Sequence, residues 1–242
     1  MTDGVVIFDG DDTLWETEIL YDEARDDAAA LVAATGIDRE SFVDLQRQID
    51  VRNVARLGLT KERFPTSSVE AYRELAERHG DVASDAIADD VFQASASVFE
   101  RPAPLVDGAA EVLGQLRRRH DLALLTKGDP IVQRRRIAQS GLEPFFQLVD
   151  VVEEKDATSF RRLLGNLDAA ASDAWSVGNS VRSDISPALA AGMHAVWVDA
   201  YVWAHERADR RSIEHPDLRV AANLRQVPSL IDAAIMPHAG EG

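Results

Sequence analysis

The sequence predicts an α/β protein: a doubly wound parallel sheet with an α-helical domain inserted into it. Three observations predict this. A short apolar run, Val5-Val6-Ile7-Phe8, ends in the polar turn Asp9-Gly10-Asp11-Asp12-Thr13-Leu14, as a buried strand running into a functional loop does. Residues 16–102 carry helical periodicity and no alternation of the kind strands show. From Val106 onward, strand-like and helix-like segments alternate, which implies a parallel sheet with helices on both faces.

Each element follows from local signals. Ile19 to Thr35 reads as a helix with acidic residues early and Gly36 as its stop. A second helix runs from about Arg39 to Leu57, with Phe42, Leu45, Ile49 and Val54 at helical spacing and Gly58 beyond. Pro65 opens a third, carrying Val69, Tyr72, Leu75 and Ala76 up to Gly80, and a fourth spans about Ser84 to Phe99, ending before Pro102 and Pro104. Asp107 is the expected N-cap of a helix over 108–120. Then come a strand at 122–126, a helix from Pro130 to Ser140 closed by Gly141, and a strand at 148–152. A helix at 158–167, a strand at 174–177 and a helix at 184–191 closed by Gly192 follow. The chain continues with a strand at 195–198, a weak strand near 219–222 and a helix from about Pro228. The expected division is therefore 1–15 as the first strand and its loop, 16–102 as the helical domain, and 103–242 as the rest of the α/β core.

Composition narrows the function classes. The chain has 242 residues, 45% of them hydrophobic, which suits an ordinary globular protein with a sizeable core. A net charge of −16 argues against sequence-independent nucleic-acid binding and against anionic membrane surfaces. No stretch has the apolar length of a membrane span, and no cysteine is present for disulfides or thiolate metal sites. A cytoplasmic location is expected. Of 26 basic residues only three are lysines, Lys61, Lys127 and Lys155. That acidic, arginine-over-lysine balance fits either adaptation to high salt or a bias in base composition.

In doubly wound sheets, ligands bind beyond the carboxyl ends of the strands. Those ends carry Asp9–Asp12, Thr126-Lys127, Glu153–Lys155 and Gly178–Asp184, so the polar groups converge on one edge. Three carboxylates within four residues repel one another and call for a cation or for raised pKa values. Asp9 and Asp11, two apart, leave the same side of an extended backbone. That spacing suits one as nucleophile and the other as proton carrier, with Mg²⁺ holding the charges together.

Read in order, the strand ends give Asp-x-Asp-x-Thr (Asp9, Asp11, Thr13), Thr126, Lys155, and Gly178-Asn179-x-x-x-x-Asp184. This series resembles the four motifs of the haloacid dehalogenase superfamily, and the helical insert resembles that superfamily's cap of helical type. The resemblance implies a Mg²⁺-dependent phosphohydrolase acting on a small phosphate ester. Asp9 would attack phosphorus and form an aspartyl-phosphate, and Asp11 would protonate the leaving alcohol and later activate water. Thr126 and Lys155 would bind the transferring group, with Gly10, Thr13 and Lys127 as further phosphate-side candidates. Asp9, Asp11, Asn179 and Asp184 are the implied metal residues. A monomer or homodimer without nucleic-acid or membrane partners is expected. Two departures stand out: Asp12 occupies a position where glycine is common in the family, and Asn179 stands where an Asp is usual.

Other readings stand beside this one. A 2-haloacid dehalogenase would share fold and nucleophile but has no use for a second Asp two residues on, or for Mg²⁺. A phosphosugar mutase shares the same motifs. From another class, phospho-accepting receiver modules combine acidic residues, a Thr and a Lys, but their acceptor lies on a middle strand and they carry no insert. A non-catalytic member is the remaining alternative. Several residues have plain structural readings: Arg134-Arg135-Arg136 as the solvated face of a helix, Trp175 and Trp197 as packing, and His205-Glu206 as a surface loop rather than a metal pair. Trp15, Glu16 and Glu18 are the nearest candidates for substrate contacts.

Overall fold

A computed structural model describes residues 2–199 and 214–235. Two compact units form: one takes the chain through Glu16 and again from Ala103, and the other spans Thr17–Pro102.

The first unit is built on six parallel strands in the order β3-β2-β1-β4-β5-β6. They are β1 (Val5–Phe8), β2 (Asp121–Lys127), β3 (Leu148–Val152), β4 (Ala174–Gly178), β5 (His194–Val198) and β6 (Leu218–Ala221). β1 lies between β2 and β4, with Phe8 opposite Leu124 on one side and Val177 on the other. All four of its side chains are buried, which explains why it reads as an unbroken apolar run rather than an alternating one. Alternation divides them between the two sheet faces. Val6 and Phe8 join Leu122, Leu124, Val112, Leu113, Ile137 and Ile231; Val5 and Ile7 join Ala123, Leu125, Phe160, Leu163 and Ala188. Helices α5 (Ala109–Leu116), α6 (Pro130–Ser140) and α9 (Val227–Ile235) thus cover one face, and α7 (Ala157–Asn166) and α8 (Ser186–Ala190) the other. Strand order reverses between β1 and β4, which puts the crevice expected of such sheets beyond their carboxyl ends.

The second unit holds α1 (Glu18–Ala33), α2 (Arg39–Leu57), α3 (Arg63–Arg78) and α4 (Asp85–Ala96). Val32, Phe42, Leu45, Ile49, Tyr72, Leu75 and Val91 form its apolar core. Its interior is also partly polar. α2 buries Gln46, Asp50 and Asn53, while Val54 is only half-buried, against the expected spacing. Arg25 Nε donates to Gln46 Oε1 (2.8 Å), Arg63 pairs with Asp50, and Asn53 donates to Ser67 Oγ (3.0 Å). Pairing makes such groups tolerable inside, although Gln46 Nε2 and Asp50 Oδ1 have no hydrogen-bond partner among the described residues.

Two local expectations are corrected. Gly108, at φ +81, is the N-cap residue of α5, because Asp107 is drawn instead into a bidentate pair with Arg225 (2.8 and 2.9 Å). The helix expected over 184–191 is divided into a π-helical turn at Val181–Ile185 followed by α8. His205-Glu206 lies outside the described residues. No helix among the described residues is long and apolar enough to cross a membrane.

Candidate active site

Beyond β1 the backbone turns sharply. Asp9 N–H still donates to Val177 O (2.9 Å), continuing the ladder to β4, and Gly10 O then accepts from Thr13, Leu14 and Trp15 N–H. A Cβ on Gly10 would strike the Trp15 ring, so the tight packing beneath the turn requires glycine there. Asp12 sits at φ +58, the left-handed region. That explains the glycine common at this position, and Asp is among the few side chains that tolerate the conformation.

Around this turn five of the expected residues meet directly. Thr13 Oγ1 lies within hydrogen-bond reach of Asp9 Oδ2 (3.1 Å) and Asn179 Oδ1 (3.4 Å), to either of which its one hydrogen can donate. The Lys155 ammonium contacts Asp9 Oδ1 and, at 2.7 Å, Asp184 Oδ1. Ser180 N–H donates to Asp184 Oδ2 (2.9 Å), and a Cβ on Gly178 would collide with the Asp184 carboxylate. Lys155 itself is buried, not the surface ion pair its acidic neighbours suggest. Asp156 just after it caps α7 in a reciprocal capping box with Ser159, so the lysine enters the site from a rigid helix start.

The charges in this cluster do not balance. Asp9 and Asp184 share one ammonium. Burial, then the Asp184 carboxylate, push the Asp9 carboxyl from 3.8 up to about 7, although Lys155 pulls the other way. Burial works against the Lys155 charge too, but Asp184 and Asp9 outweigh it and hold its pKa above the ordinary lysine value. Thr126 is the penultimate residue of β2, two beyond Leu124, which lies opposite Phe8 of β1. Its hydroxyl is buried and has no hydrogen-bond partner among the described residues. A buried hydroxyl without a partner is costly and suits an anionic oxygen supplied by a ligand. Lys127 Nζ donates to Ser183 Oγ (2.6 Å).

Asp11 is placed differently. Its Oδ1 accepts from the Trp15 indole (2.7 Å), and its Oδ2 from Gln133 Nε2 (2.8 Å) and Arg136 Nη1 (2.8 Å). Three sequence readings change here. Arg136 is buried against Asp11 while Arg134 and Arg135 are exposed, so the arginine run is only partly a solvated face. Trp15, read as a candidate for substrate contact, is fully buried and holds Asp11, whereas Glu16 is exposed and that reading of it is unchanged. Trp197 is only half-buried, and its indole donates to Asn179 O (3.0 Å), helping to set the fourth strand-end loop. Gln133 and Arg136 were not legible as site residues. Their one signal was i, i+3 spacing beside the buried Val132 and Ile137.

Residues 4–192 match the family model for haloacid dehalogenase-like hydrolases. The chain belongs to the haloacid dehalogenase-like hydrolase family. A phosphoserine phosphatase of Thermus thermophilus is 35% identical over 130 residues, covering 51% of this chain and 50% of the relative. The match thus spans about half of that relative's length. Among solved structures, a haloacid dehalogenase-like family hydrolase of Xanthomonas campestris is 26% identical with TM-score 0.77, covering 97% of this chain and 98% of its own. The fold is shared with YfnB of Bacillus subtilis, whose structure is bound to magnesium (19% identity, TM-score 0.64, 95% and 98% covered). It is shared equally with L-2-haloacid dehalogenase of Xanthobacter autotrophicus (18%, TM-score 0.62, 96% and 99%). As a family member the chain is a hydrolase with a parallel α/β core.

Proposed function

We propose that the protein is a Mg²⁺-dependent phosphohydrolase that cleaves a small phosphate ester through an aspartyl-phosphate at Asp9. The observation that carries the reading is the pair Asp9 and Asp11 in unlike settings: one carboxyl faces Lys155, the other is held two residues on by neutral and cationic donors. A dehalogenase has no leaving-group oxygen to protonate and hence no use for the second carboxylate. The likeness to a phosphoserine phosphatase supports the same choice, and the name of that enzyme leaves this chain's substrate open.

In this reading Asp9 attacks phosphorus, and the Thr126 hydroxyl donates to a phosphoryl oxygen in place of its missing partner. Lys155 neutralises charge on both the nucleophile and the transferring group. Asp11 gives a proton to the departing oxygen, and then takes one from the water that cleaves the aspartyl-phosphate. Two carboxylates and one ammonium meeting a phosphate dianion leave an excess of negative charge, and hard oxygens of Asp9, Asn179 and Asp184 fit Mg²⁺. Those three residues would hold the ion, which when bound supplies the balancing charge and favours the Asp9 carboxylate. Asp11, whose carboxylate already has three donors, is assigned to proton transfer. The helical insert of residues 16–102 serves as the cap in this reading, with 1–15 and 103–242 as the catalytic core.

The test is phosphate release from a panel of phosphorylated metabolites, with Mg²⁺ and with EDTA, at low and high KCl. Mg²⁺-dependent turnover that Asp9→Asn abolishes is expected. Chloride release from 2-chloropropionate without phosphate release from any ester would overturn the reading in favour of dehalogenation.

A further inference from the structure

The grip on Asp11 is more specific than charge compensation requires. A carboxylate offers about two acceptor positions on each oxygen. Oδ2 has both filled, by the Gln133 amide and the Arg136 guanidinium, each at 2.8 Å. Oδ1 has one filled, by the Trp15 indole at 2.7 Å, and keeps one. The acceptor position left open on Asp11 is therefore on Oδ1. The Asp11 side chain as a whole remains 29% exposed.

The donors are themselves fixed. Gln133 and Arg136 lie one turn apart on α6 and are both buried. Asp129 caps that helix, accepting from Ile131 and Val132 N–H (2.9 and 3.3 Å), and Pro130 occupies its first turn. The Gln133 amide also donates to Lys127 O (3.0 Å), tying Asp11 to the end of β2 next to Thr126. Gly128 makes room for this, since a Cβ there would press on the Gln133 amide at 3.2 Å. Trp15 is fixed from below by full burial.

Resting on the phosphohydrolase reading, we propose that Gln133 and Arg136 of α6 are positioning residues that orient Asp11 so that Oδ1 delivers the proton to the departing oxygen. In the step they serve, a bond forms between an Asp9 oxygen and phosphorus as the bond from phosphorus to the ester oxygen breaks. The bonding pair stays with that oxygen, which takes the proton from Oδ1. A simple alcohol needs that proton; 4-nitrophenol leaves readily without it.

The experiment measures kcat/KM with Mg²⁺ for phosphate monoesters graded from 4-nitrophenyl to a simple alkyl ester, in the wild type, Arg136→Ala and Gln133→Ala. Because kcat/KM covers the chain of events through the first bond cleavage, slower hydrolysis of the aspartyl-phosphate does not blur it. Disoriented proton transfer should lower the alkyl ester by about 100-fold or more and the 4-nitrophenyl ester by about 10-fold or less. Gln133→Ala keeps the Arg136–Asp11 ion pair and so stays informative if Arg136→Ala does not fold. An equal loss on both esters in folded variants, or no loss in Gln133→Ala, would overturn the inference while leaving the phosphohydrolase reading intact. A wild type inactive on every ester, with 2-chloropropionate dechlorinated, would overturn both.

Discussion

Asp9→Asn should make the metal-free protein more stable at alkaline pH, even as it removes the nucleophile. The Asp9 carboxyl lies at about 7 in the fold against 3.8 in an unfolded chain. At about 1.4 kcal/mol per tenfold change in proton affinity, that difference is worth about 4 kcal/mol. The sign follows from proton counting. Between pH 4 and 7 the folded state keeps a proton that the unfolded state has lost, so stability from this group is full below 3.8 and falls as pH rises through 7. Asn has no such proton. The stability difference, Asp9→Asn minus wild type, should therefore grow by roughly 2–3 kcal/mol between pH 5 and pH 8 in EDTA. The assay is urea unfolding followed by tryptophan fluorescence. The three described tryptophans, Trp15, Trp175 and Trp197, belong to the α/β unit, and Thr17–Pro102 contains no tryptophan, so the signal does not come from the helical unit. Added Mg²⁺ at pH 8 should narrow the gap, because a ligand that binds the folded wild type stabilises it. A gap independent of pH would refute the account of Asp9 as a buried, undercompensated carboxyl.

Further outcomes follow from single contacts. Gly178→Ala should leave the fold in place at a cost of about 1–3 kcal/mol and lower turnover at least tenfold, because the new methyl displaces the Asp184 carboxylate; full activity would separate Asp184 from the site. Asn179→Asp should lower the Mg²⁺ concentration for half-maximal activity and Asp184→Asn should raise it, measured by Mg²⁺ titration; an unchanged requirement in Asn179→Asp would remove Asn179 from the metal residues. With a net charge of −16, self-repulsion relieved by screening should raise Tm by roughly 2–8 °C between low salt and molar KCl. A flat or falling Tm would leave base composition as the source of the acidic surface.

The sheet was legible because most of its strands are apolar runs with a polar stop; β1, covered on both faces, is the purest case, and β6, with Arg219 inside it, the weakest. The strand ends were legible for the same reason: Asp9, Thr126, Lys155 and Asp184 stand where apolar sequence breaks off. What stayed hidden was whatever depends on two distant segments meeting. Arg136 is one of three adjacent arginines, and adjacency says nothing of faces; only the fold selects it over Arg134 and Arg135. Asp107 has every local mark of an N-cap, but Arg225, more than a hundred residues away in sequence, takes its carboxylate. In α2, Gln46, Asp50 and Asn53 read as solvent-facing because their partners Arg25, Arg63 and Ser67 come from other helices.

The central claim is the covalent role of Asp9. Its most direct test is rapid quenching during turnover of a phosphate ester, borohydride reduction of any acyl-phosphate, and peptide mass spectrometry of the segment around the first strand. The account predicts homoserine in place of Asp9, in a yield that follows turnover and disappears without substrate. An unmodified Asp9 under conditions where phosphate is released in a burst, or reduction at another carboxylate, would contradict it.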